Sequence, residues 1–222
     1  MKFEEGWWLP DDDQHMVAWM RRVGQVRDGL LQYQFHKYQW ASNWMPSHRG
    51  LAVDVGAHIG FWSRNMAMDF REVVAFEPVP RHAECWRRNL ESFKNAALHE
   101  CALGAESGTV SLANEGVGAS GDAAVITDGS ATPVATNVPR ITLDSVALSR
   151  CDFMKIDCEG YEFFVIQGAE RTIKQFKPCI IVEQKPKGGR KYGLRRRQAV
   201  SLLTWWGMTV RKEIDGDYIL SF

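Results

Sequence analysis

The chain has 222 residues, the size of a single domain with room for one sizeable hydrophobic core. Its 45% hydrophobic and 24% charged residues are globular values and exclude a generally disordered chain. The chain has 27 lysine and arginine residues and 27 aspartate and glutamate residues, so its net charge is zero. This excludes a bulk electrostatic attraction to nucleic acid or to an anionic membrane, although it leaves room for a local basic patch.

The sequence shows no sign of a membrane span or an export signal. No apolar run approaches the roughly 18 residues of a membrane span, and the acidic start MKFEEGWWLPDDD lacks an apolar signal-peptide core. The five cysteines lack C-x-x-C spacing, so neither a disulfide framework nor a zinc site is expected. These features favour a cytoplasmic protein. They do not fix the oligomeric state, and a homodimer stays open.

Residues 1–49 differ from the rest of the chain because they are rich in Trp, Tyr, Gln and Met. Apolar positions at mixed three- and four-residue spacing, such as Val26, Leu30, Tyr33 and Tyr38, predict one or two helices between residues 16 and 44. The acids at 11–13 suit the start of such a helix. We therefore expect a helical N-terminal extension, either a layer packed on the core or a lid over a ligand.

From residue 50 to 222 short apolar runs alternate with amphipathic segments. This alternation predicts one α/β domain whose mostly parallel sheet is covered by helices on both faces. The predicted strands are 51–55, 72–77, 97–103, 108–113, 153–157, 179–183, 208–213 and 217–222, the last two forming an antiparallel pair around a turn at 215–216. The predicted helices run from 61 to about 69 and over 80–92, 161–176 and 194–206.

Residues 114–139 interrupt this pattern with several glycines and two prolines. A loop of this length is either functional or an insertion. A flap beside the active site and a plain insertion are equally compatible with it.

The sharpest local motif is the segment from Val53 to Gly60, VDVGAHIG, which follows a strand and opens a helix. Gly56 and Gly60 allow a tight turn and a close approach to a ligand. The spacing differs from the dinucleotide pattern G-x-G-x-x-G, which disfavours a dehydrogenase. The acidic Asp54 disfavours a pyrophosphate and favours a cationic ligand, and S-adenosylmethionine carries an ammonium and a sulfonium.

Two further acidic positions follow strands of the predicted sheet. Glu77 ends the second strand, where a carboxylate accepts hydrogen bonds from ribose hydroxyls in nucleotide-binding α/β folds. Asp157 ends a central strand, and Glu159 and Glu162 follow at a helix start, where acids also serve as caps. A general base, an ammonium anchor or a metal ligand is the functional interpretation of this group.

The sequence resembles the FkbM-type methyltransferases, a family of class I S-adenosylmethionine-dependent enzymes. The resemblance rests on five segments in order between residues 50 and 185: AVDVGAHIGFWSRNMA, VVAFEPVPRHAECWRRNL, ITLDSV, CDFMKIDCEGYEFFVIQGA and CIIVEQK. It implies a Rossmann-like class I methyltransferase fold, with a seven-stranded, mostly parallel sheet and an antiparallel C-terminal strand pair. Residues 1–49 and 186–222 show no such match, and we expect substrate choice to reside there.

The resemblance also implies roles for individual residues. Asp54, Gly56 and Gly60 would wrap the amino-acid end of the cofactor, and Glu77 would hold its ribose. Asp157 and Glu159 would face the methyl-transfer site. The predicted cofactor-binding residues are Asp54, Gly56, Ala57, His58, Gly60, Glu77, Pro78 and Asp157, and the predicted catalytic residues are Asp157, Glu159 and His58.

A divalent metal, Mg²⁺ or Ca²⁺, is a further hypothesis, because Asp157 and the pair Glu183–Gln184 end neighbouring strands and offer hard oxygen ligands. The arrangement is similar to that of catechol-type O-methyltransferases. The alternative is that Glu183 pairs with a lysine such as Lys155 or Lys185. His58, in the cofactor loop, is a second candidate base.

The residues leave three functions open. The leading one is O-methylation of a hydroxyl on a sugar, glycan or natural product, favoured by the absence of the [DN]PP[YF] motif of amino-methylating enzymes. The second is methylation of RNA or DNA, bound through the basic segment 185–197, KPKGGRKYGLRRR. The third is a non-enzymatic module that binds S-adenosylmethionine. The alternative for the basic segment is a series of solvated charges without a binding role.

Overall fold

The computed structural model describes residues 1–113, 124–126, 136–186 and 188–222. Its elements in the N-terminal segment are β1 (Lys2–Glu4), β2 (Trp7–Leu9), α1 (His15–Val23), β3 (Gln25–Arg27), β4 (Leu30–Gln32) and α2 (Phe35–Ser42). The first half of the remaining chain contains β5 (Leu51–Val55), α3 (Phe61–Asp69), β6 (Glu72–Phe76), α4 (Pro80–Asn89), β7 (Ala96–His99), β8 (Ala102–Leu103), β9 (Gly108–Ala113), β10 (Ala124–Ile126) and β11 (Thr136–Ile141). The second half contains β12 (Phe153–Ile156), α5 (Glu162–Gln167), α6 (Glu170–Phe176), β13 (Cys179–Glu183), α7 (Gln198–Trp205), β14 (Thr209–Ile214) and β15 (Asp217–Ser221).

The main sheet has seven strands in the order β14-β15-β13-β12-β5-β6-β7. The strands β13, β12, β5, β6 and β7 are parallel, whereas β15 and β14 run antiparallel at one edge. This confirms the sheet and the C-terminal strand pair expected from the sequence. The chain order reverses between β5 and β12, and open α/β sheets bind their ligands at such a point.

Side-chain alternation along the strands separates two buried layers. One face of the sheet packs against α5, α6 and α7 through residues such as Ile156, Val182 and Leu203. The other face packs against α2 and α3 through residues such as Tyr38 and Trp62. Because the strands are covered on both sides, their apolar runs are nearly continuous.

A second, smaller sheet has the order β10-β9-β11-β8. The sequence predicted β9, and it predicted β8 as the end of a longer strand over residues 97–103. The long loop predicted over residues 114–139 lies largely outside the described residues, apart from β10 and the start of β11. The predicted helix 161–176 is two helices that meet at Gly168. A Cβ at Gly168 would lie 2.0 Å from the carbonyl oxygen of Gly104, so this close approach requires glycine.

The N-terminal segment corrects the expectation of a helical extension. Two helices are present, but two antiparallel hairpins, β1–β2 and β3–β4, accompany them. Val26 and Leu30, predicted on a helix, lie in the second hairpin, and Val26 is 66% exposed. Asp13 does lie at the start of α1, where its side chain accepts hydrogen bonds from the N–H groups of His15 and Met16. No helix among the described residues is long and apolar enough to cross a membrane.

Candidate functional site

A cleft opens at the carboxyl ends of the parallel strands, beside the point where the strand order reverses. It is lined from one side by the loop after β5 and the tip of β6, and from the other by the tips of β12 and β13.

The loop after β5 is held in one conformation by its glycines and by β6. The N–H groups of Gly56 and Ala57 both donate to the carbonyl oxygen of Phe76, at 3.0 Å. Gly56 has a φ of +72°, and a Cβ there would lie 1.9 Å from the carbonyl oxygen of Asp157. Gly60 has a φ of +99°, and a Cβ there would meet the side chain of Leu90 at 2.4 Å. Both glycines are therefore required for the loop to fit, as the sequence predicted.

Glu77 lies at the tip of β6, lines the cleft and is 4% exposed. One carboxylate oxygen accepts from the N–H of His58 at 2.8 Å, and the other accepts from the N–H of Val79 at 2.9 Å. The second oxygen also lies 3.4 Å from Nδ1 of His82. Burial acts to raise the pKa of Glu77, but the hydrogen bond and charge of His82 and the nearby His58 bring it below its usual value. The oxygen that accepts from His58 has a further lone pair for a ligand.

His58, Ala57 and Pro78 line the same part of the cleft as Glu77. His58 adopts a φ of +51°, and its ring packs edge-on against the ring of His82 with centroids 4.2 Å apart. The structure therefore places His58 with the predicted ribose-binding residue.

Asp54 does not line the cleft. Its side chain is fully buried, where one oxygen accepts from the hydroxyl of Ser63 at 2.6 Å and the other lies 3.5 Å from Nζ of Lys155. The expected direct contact between Asp54 and a cofactor is therefore absent from this geometry. The reason is register, because Asp54 on β5 is paired with Lys155 on β12 and both side chains lie on the same face.

Lys155 is the site residue whose role the sequence analysis missed, although it lies two positions before Asp157 and thus on the same face of the strand. Its ammonium donates to the carbonyl oxygens of Gly56 at 2.6 Å and Val55 at 3.2 Å, and lies 4.0 Å from Asp157. Burial acts to lower the pKa of Lys155, but the charges of Asp54 and Asp157 raise it above its usual value. Lys155 thus ties the loop after β5 to the tip of β12.

Asp157, Glu159 and Glu183 converge at the other end of the cleft. Each offers a carboxylate oxygen, and these oxygens lie within 4.8 Å of one another. We call these three residues the acidic cluster. Burial and, to a smaller extent, the negative charges of Asp157 and Glu159 raise the pKa of Glu183 to about 9. The ammonium of Lys185, 2.6 Å from a Glu183 oxygen, acts to lower that pKa. The predicted pairing of Glu183 with a lysine is therefore also present.

Gln184 corrects the predicted metal set. Its Nε2 donates to Glu162 at 3.3 Å and its Oε1 accepts from the N–H of Ala199, both on the opposite face of the sheet from Glu183. Successive side chains of a strand point to opposite faces, so Glu183 and Gln184 cannot share a ligand. Glu162 is a capping residue, because one of its oxygens accepts from the N–H groups of Cys158 and Gly160.

The N-terminal segment adds residues to the cleft that the sequence analysis did not assign to it. Met16, Tyr33 and Gln34 line its wall. The Tyr33 ring lies between Trp19 and Phe61, with centroids 4.7 and 5.3 Å away. Burial, followed by the charge on Asp157, raises the pKa of Tyr33 to about 12. The aromatic richness of residues 1–49 was the only signal for this role.

The basic segment runs beside the cleft. Gly188 packs against Gly160, where a Cβ would lie 2.1 Å from the Gly188 carbonyl oxygen, and Tyr192 packs against Tyr161. Arg197 pairs with Glu213 at 3.1 Å, whereas Lys187 lies outside the described residues. The remaining described cations of the segment beyond Lys185 are exposed, namely Arg190, Lys191, Arg195 and Arg196.

Comparison with known proteins identifies the domain and the fold. The family model of the methyltransferase FkbM domain matches residues 54–200. The crystal structure of methyltransferase FkbM from Methylobacillus flagellatus KT is similar with a TM-score of 0.53 and 17% identity, over 92% of this chain and 50% of that one. The chain thus spans about half the length of that relative. A search of curated proteins gives no match.

Two other solved structures show the same fold at lower identity. SMU.1697c from Streptococcus mutans, in complex with S-adenosylhomocysteine, has a TM-score of 0.52 at 8% identity, covering 86% of this chain and 98% of that one. The N-methyltransferase NodS from Bradyrhizobium japonicum WM9, also with S-adenosylhomocysteine, has a TM-score of 0.50 at 10% identity, covering 85% of each chain. The sheet is therefore that of the class I methyltransferases.

Proposed function

We propose, since the chain belongs to the FkbM methyltransferase family, that it transfers a methyl group from S-adenosylmethionine to a hydroxyl on a sugar, glycan or natural product. The observation that carries this proposal is the position of Asp157. Its side chain lies at the tip of β12 and is 29% exposed in the cleft, and its backbone carbonyl packs on Gly56 of the loop after β5.

The residues present fit the cofactor. The loop from Gly56 to His58 approaches the cleft with its backbone, and the spare lone pair of Glu77 suits a ribose hydroxyl. Pro78 lies beside Glu77 in the wall. Asp54 contributes indirectly, because it holds Lys155. Gly60 contributes indirectly as well, because it packs on Leu90. S-adenosylmethionine, when bound, supplies a methyl group activated by its positive sulfur.

Asp157 is the residue we assign to proton removal. With the cofactor bound, its sulfonium would supply the methyl group to the acceptor oxygen, and the hydroxyl proton would pass to the Asp157 carboxylate. An aliphatic hydroxyl is a poor acid, so alignment alone leaves this proton to be removed. Lys155 lies 4.0 Å from Asp157 and holds it near the cofactor loop. A divalent cation at the acidic cluster is the second means of activating the hydroxyl, and His58 is the alternative base on the Glu77 side.

We assign residues 50–222 to the methyltransferase domain and residues 1–49 to a lid over the acceptor. Support comes from Tyr33 and Gln34, which line the cleft although they lie outside the family match. All five cysteines carry free thiols, which supports a reducing compartment such as the cytoplasm.

The experiment that tests the function is calorimetric titration with S-adenosylmethionine and S-adenosylhomocysteine, followed by a methyl-transfer screen that begins with sugars and sugar nucleotides. We expect micromolar binding of both ligands and transfer to an oxygen acceptor. Absence of binding to either ligand would reject the assignment of the cofactor.

Methylation of RNA or DNA is the second candidate, and the exposed cations Arg190, Lys191, Arg195 and Arg196 favour it. It requires salt-dependent binding of nucleic acid. A module that only binds the cofactor is the third candidate, and it would tolerate loss of the Asp157 carboxylate.

A further inference from the structure

We infer that Glu162 is a positioning residue for methyl transfer: its buried carboxylate holds the turn after β12, residues 158–161, which fixes Asp157 and Glu159 in the cleft. Gln184 in turn orients the carboxylate of Glu162. The hydrogen bonds that hold the turn follow from the geometry of the chain, whereas the role of the turn in the reaction rests on the proposed function.

The turn after β12 has a backbone conformation that its own sequence disfavours. The carbonyl oxygen of Cys158 accepts from the N–H of Tyr161 at 3.1 Å, which closes the turn. Its two central residues both have positive φ, +52° at Glu159 and +99° at Gly160. Glycine tolerates this region, but a glutamate there is strained and persists only when its surroundings hold it. A contact from outside the turn must therefore stabilise it.

The carboxylate of Glu162 supplies this contact. One of its oxygens accepts from the N–H of Cys158 at 3.0 Å and from the N–H of Gly160 at 2.8 Å. These two donors lie on either side of Glu159, so sharing one oxygen restricts the backbone between them. Glu162 is 1% exposed, and charge-assisted hydrogen bonds of this kind are stronger away from water.

Gln184 holds the other oxygen of Glu162. The Nε2 of Gln184 donates to that oxygen at 3.3 Å, and its Oε1 accepts from the N–H of Ala199 at 3.0 Å. Gln184 directly follows β13, and Ala199 lies in the first turn of α7. The Glu162 carboxylate is thus fixed from two sides, and it ties the turn after β12 to the next strand of the sheet and to α7.

The turn after β12 is also packed closely between its neighbours. A Cβ at Gly56 would lie 1.9 Å from the carbonyl oxygen of Asp157, and a Cβ at Gly160 would lie 2.1 Å from the carbonyl oxygen of Gly188. Asp157 and Glu159 both line the cleft. Because a misplacement of about 1 Å can slow a reaction roughly 10²-fold, a relaxed turn should impair methyl transfer.

The first experiment needs no acceptor and measures backbone hydrogen exchange in the full chain by NMR. Glu162→Ala should raise the exchange rates of the Cys158 and Gly160 amides roughly ten- to a hundredfold, as expected when hydrogen bonds to a charged group are lost. Glu162→Gln should raise these rates less, because its amide oxygen can still accept from both N–H groups.

The second experiment measures methyl transfer to the acceptor that the sugar screen identifies. Glu162→Ala should lower kcat roughly a hundredfold, while the KM for S-adenosylmethionine stays within about twofold of the wild type. Glu162→Gln should recover part of this kcat. Gln184→Leu, which leaves one oxygen of Glu162 without its donor, should lower kcat less than Glu162→Ala does.

Asp144→Ala is the matched control, because Asp144 is a carboxylate that caps a different helix. It accepts from the N–H groups of Arg171 at 2.9 Å and Thr172 at 2.8 Å at the start of α6, and it is not among the residues that line the cleft. Loss of this cap should lower the Tm, as loss of Glu162 does, but leave kcat unchanged. The comparison separates positioning from helix capping alone.

Two results would overturn the inference: unchanged exchange of the Cys158 and Gly160 amides in both Glu162 variants, or a kcat that falls no further in Glu162→Ala than in Asp144→Ala. If Glu162→Ala does not fold, Glu162→Gln decides by the same two measurements. A wild type that binds no S-adenosylhomocysteine, or methylates no acceptor, rejects the proposed function. Hydrogen exchange then still decides whether Glu162 holds the turn.

Discussion

Lys155 and Asp54 face each other across the strands β12 and β5, with the lysine nitrogen 3.5 Å from a carboxylate oxygen and both residues buried. The same ammonium reaches the carbonyl oxygen of Gly56 in the cofactor loop. A buried ion pair of this kind need not make the fold more stable than a pair of apolar residues in the same place would. Loss of one partner, however, leaves the other charge buried and uncompensated, which destabilises the fold. Its position indicates a role in holding the loop after β5 and the strand β12 together.

Replacement of Lys155 by Met should therefore destabilise the protein by about 3–5 kcal/mol, because the charge of Asp54 would remain buried without its partner. The free energy of unfolding in urea measures this. The double variant Asp54→Asn/Lys155→Met is the matched control and should recover a large part of the loss. A single variant as stable as the wild type would contradict the pairing.

Glu77→Ala should weaken S-adenosylhomocysteine binding by about 1.5–3 kcal/mol, the contribution of hydrogen bonds to a charged group. Calorimetry measures the change. Glu100→Ala is the control, since Glu100 is an exposed acid that pairs with Arg87 and is not among the residues lining the cleft. Equal affinities of the Glu77 variant and the wild type would reject the ribose assignment.

The stability contributed by Glu77 should depend on pH. Its pKa in the folded protein lies below the usual 4.5, so the folded state favours the ionised carboxylate. This contribution is present above pH 4.5 and is lost as the pH falls through the lowered pKa. Urea unfolding between pH 7 and pH 3.5 should therefore show the advantage of the wild type over Glu77→Gln shrinking toward low pH. A difference that is constant across this range would contradict the prediction.

Asp157→Asn should retain the fold and the binding of S-adenosylhomocysteine while methyl transfer falls by at least a hundredfold, because general-base catalysis typically contributes 10²–10⁴. Single-turnover assays with a cofactor carrying a labelled methyl group measure the transfer step. His58→Gln tests the alternative base. Wild-type turnover in the Asp157 variant would favour the alternative base. If the wild type itself methylates no acceptor, a module that only binds the cofactor is favoured.

The triple variant Arg195→Ala/Arg196→Ala/Arg197→Ala tests the nucleic-acid candidate. We expect it to bind S-adenosylhomocysteine as the wild type does, and we expect neither protein to bind a short RNA or DNA at 150 mM salt. Fluorescence anisotropy measures that binding. Salt-dependent binding by the wild type that disappears in the variant would replace the leading proposal with nucleic-acid methylation.

Much of the fold was predictable because strand and helix formation depends on local patterns. The apolar runs at 51–55 and 179–183 became the strands β5 and β13 with the same bounds, and Glu77 and Asp157 lie directly after their strands. The periodicity of residues 16–44 was misleading, since the segment between α1 and α2 forms a hairpin whose side chains are partly exposed. Short strands that carry mixed polar and apolar residues resemble helix turns in a single sequence.

The sequence by itself determined the strand segments, the glycine-dependent loop after β5 and the set of carboxylates at the strand tips, because each depends on residues adjacent in the chain. Only the tertiary structure decided which side chains meet. Register buried Asp54 against Lys155, and strand alternation turned Gln184 away from Glu183. Pairing with β15 brought Asp217 beneath the acidic cluster, and the packing of residues 1–49 brought Tyr33 over the cleft. These contacts join residues far apart in sequence, and the packing of the whole chain sets them.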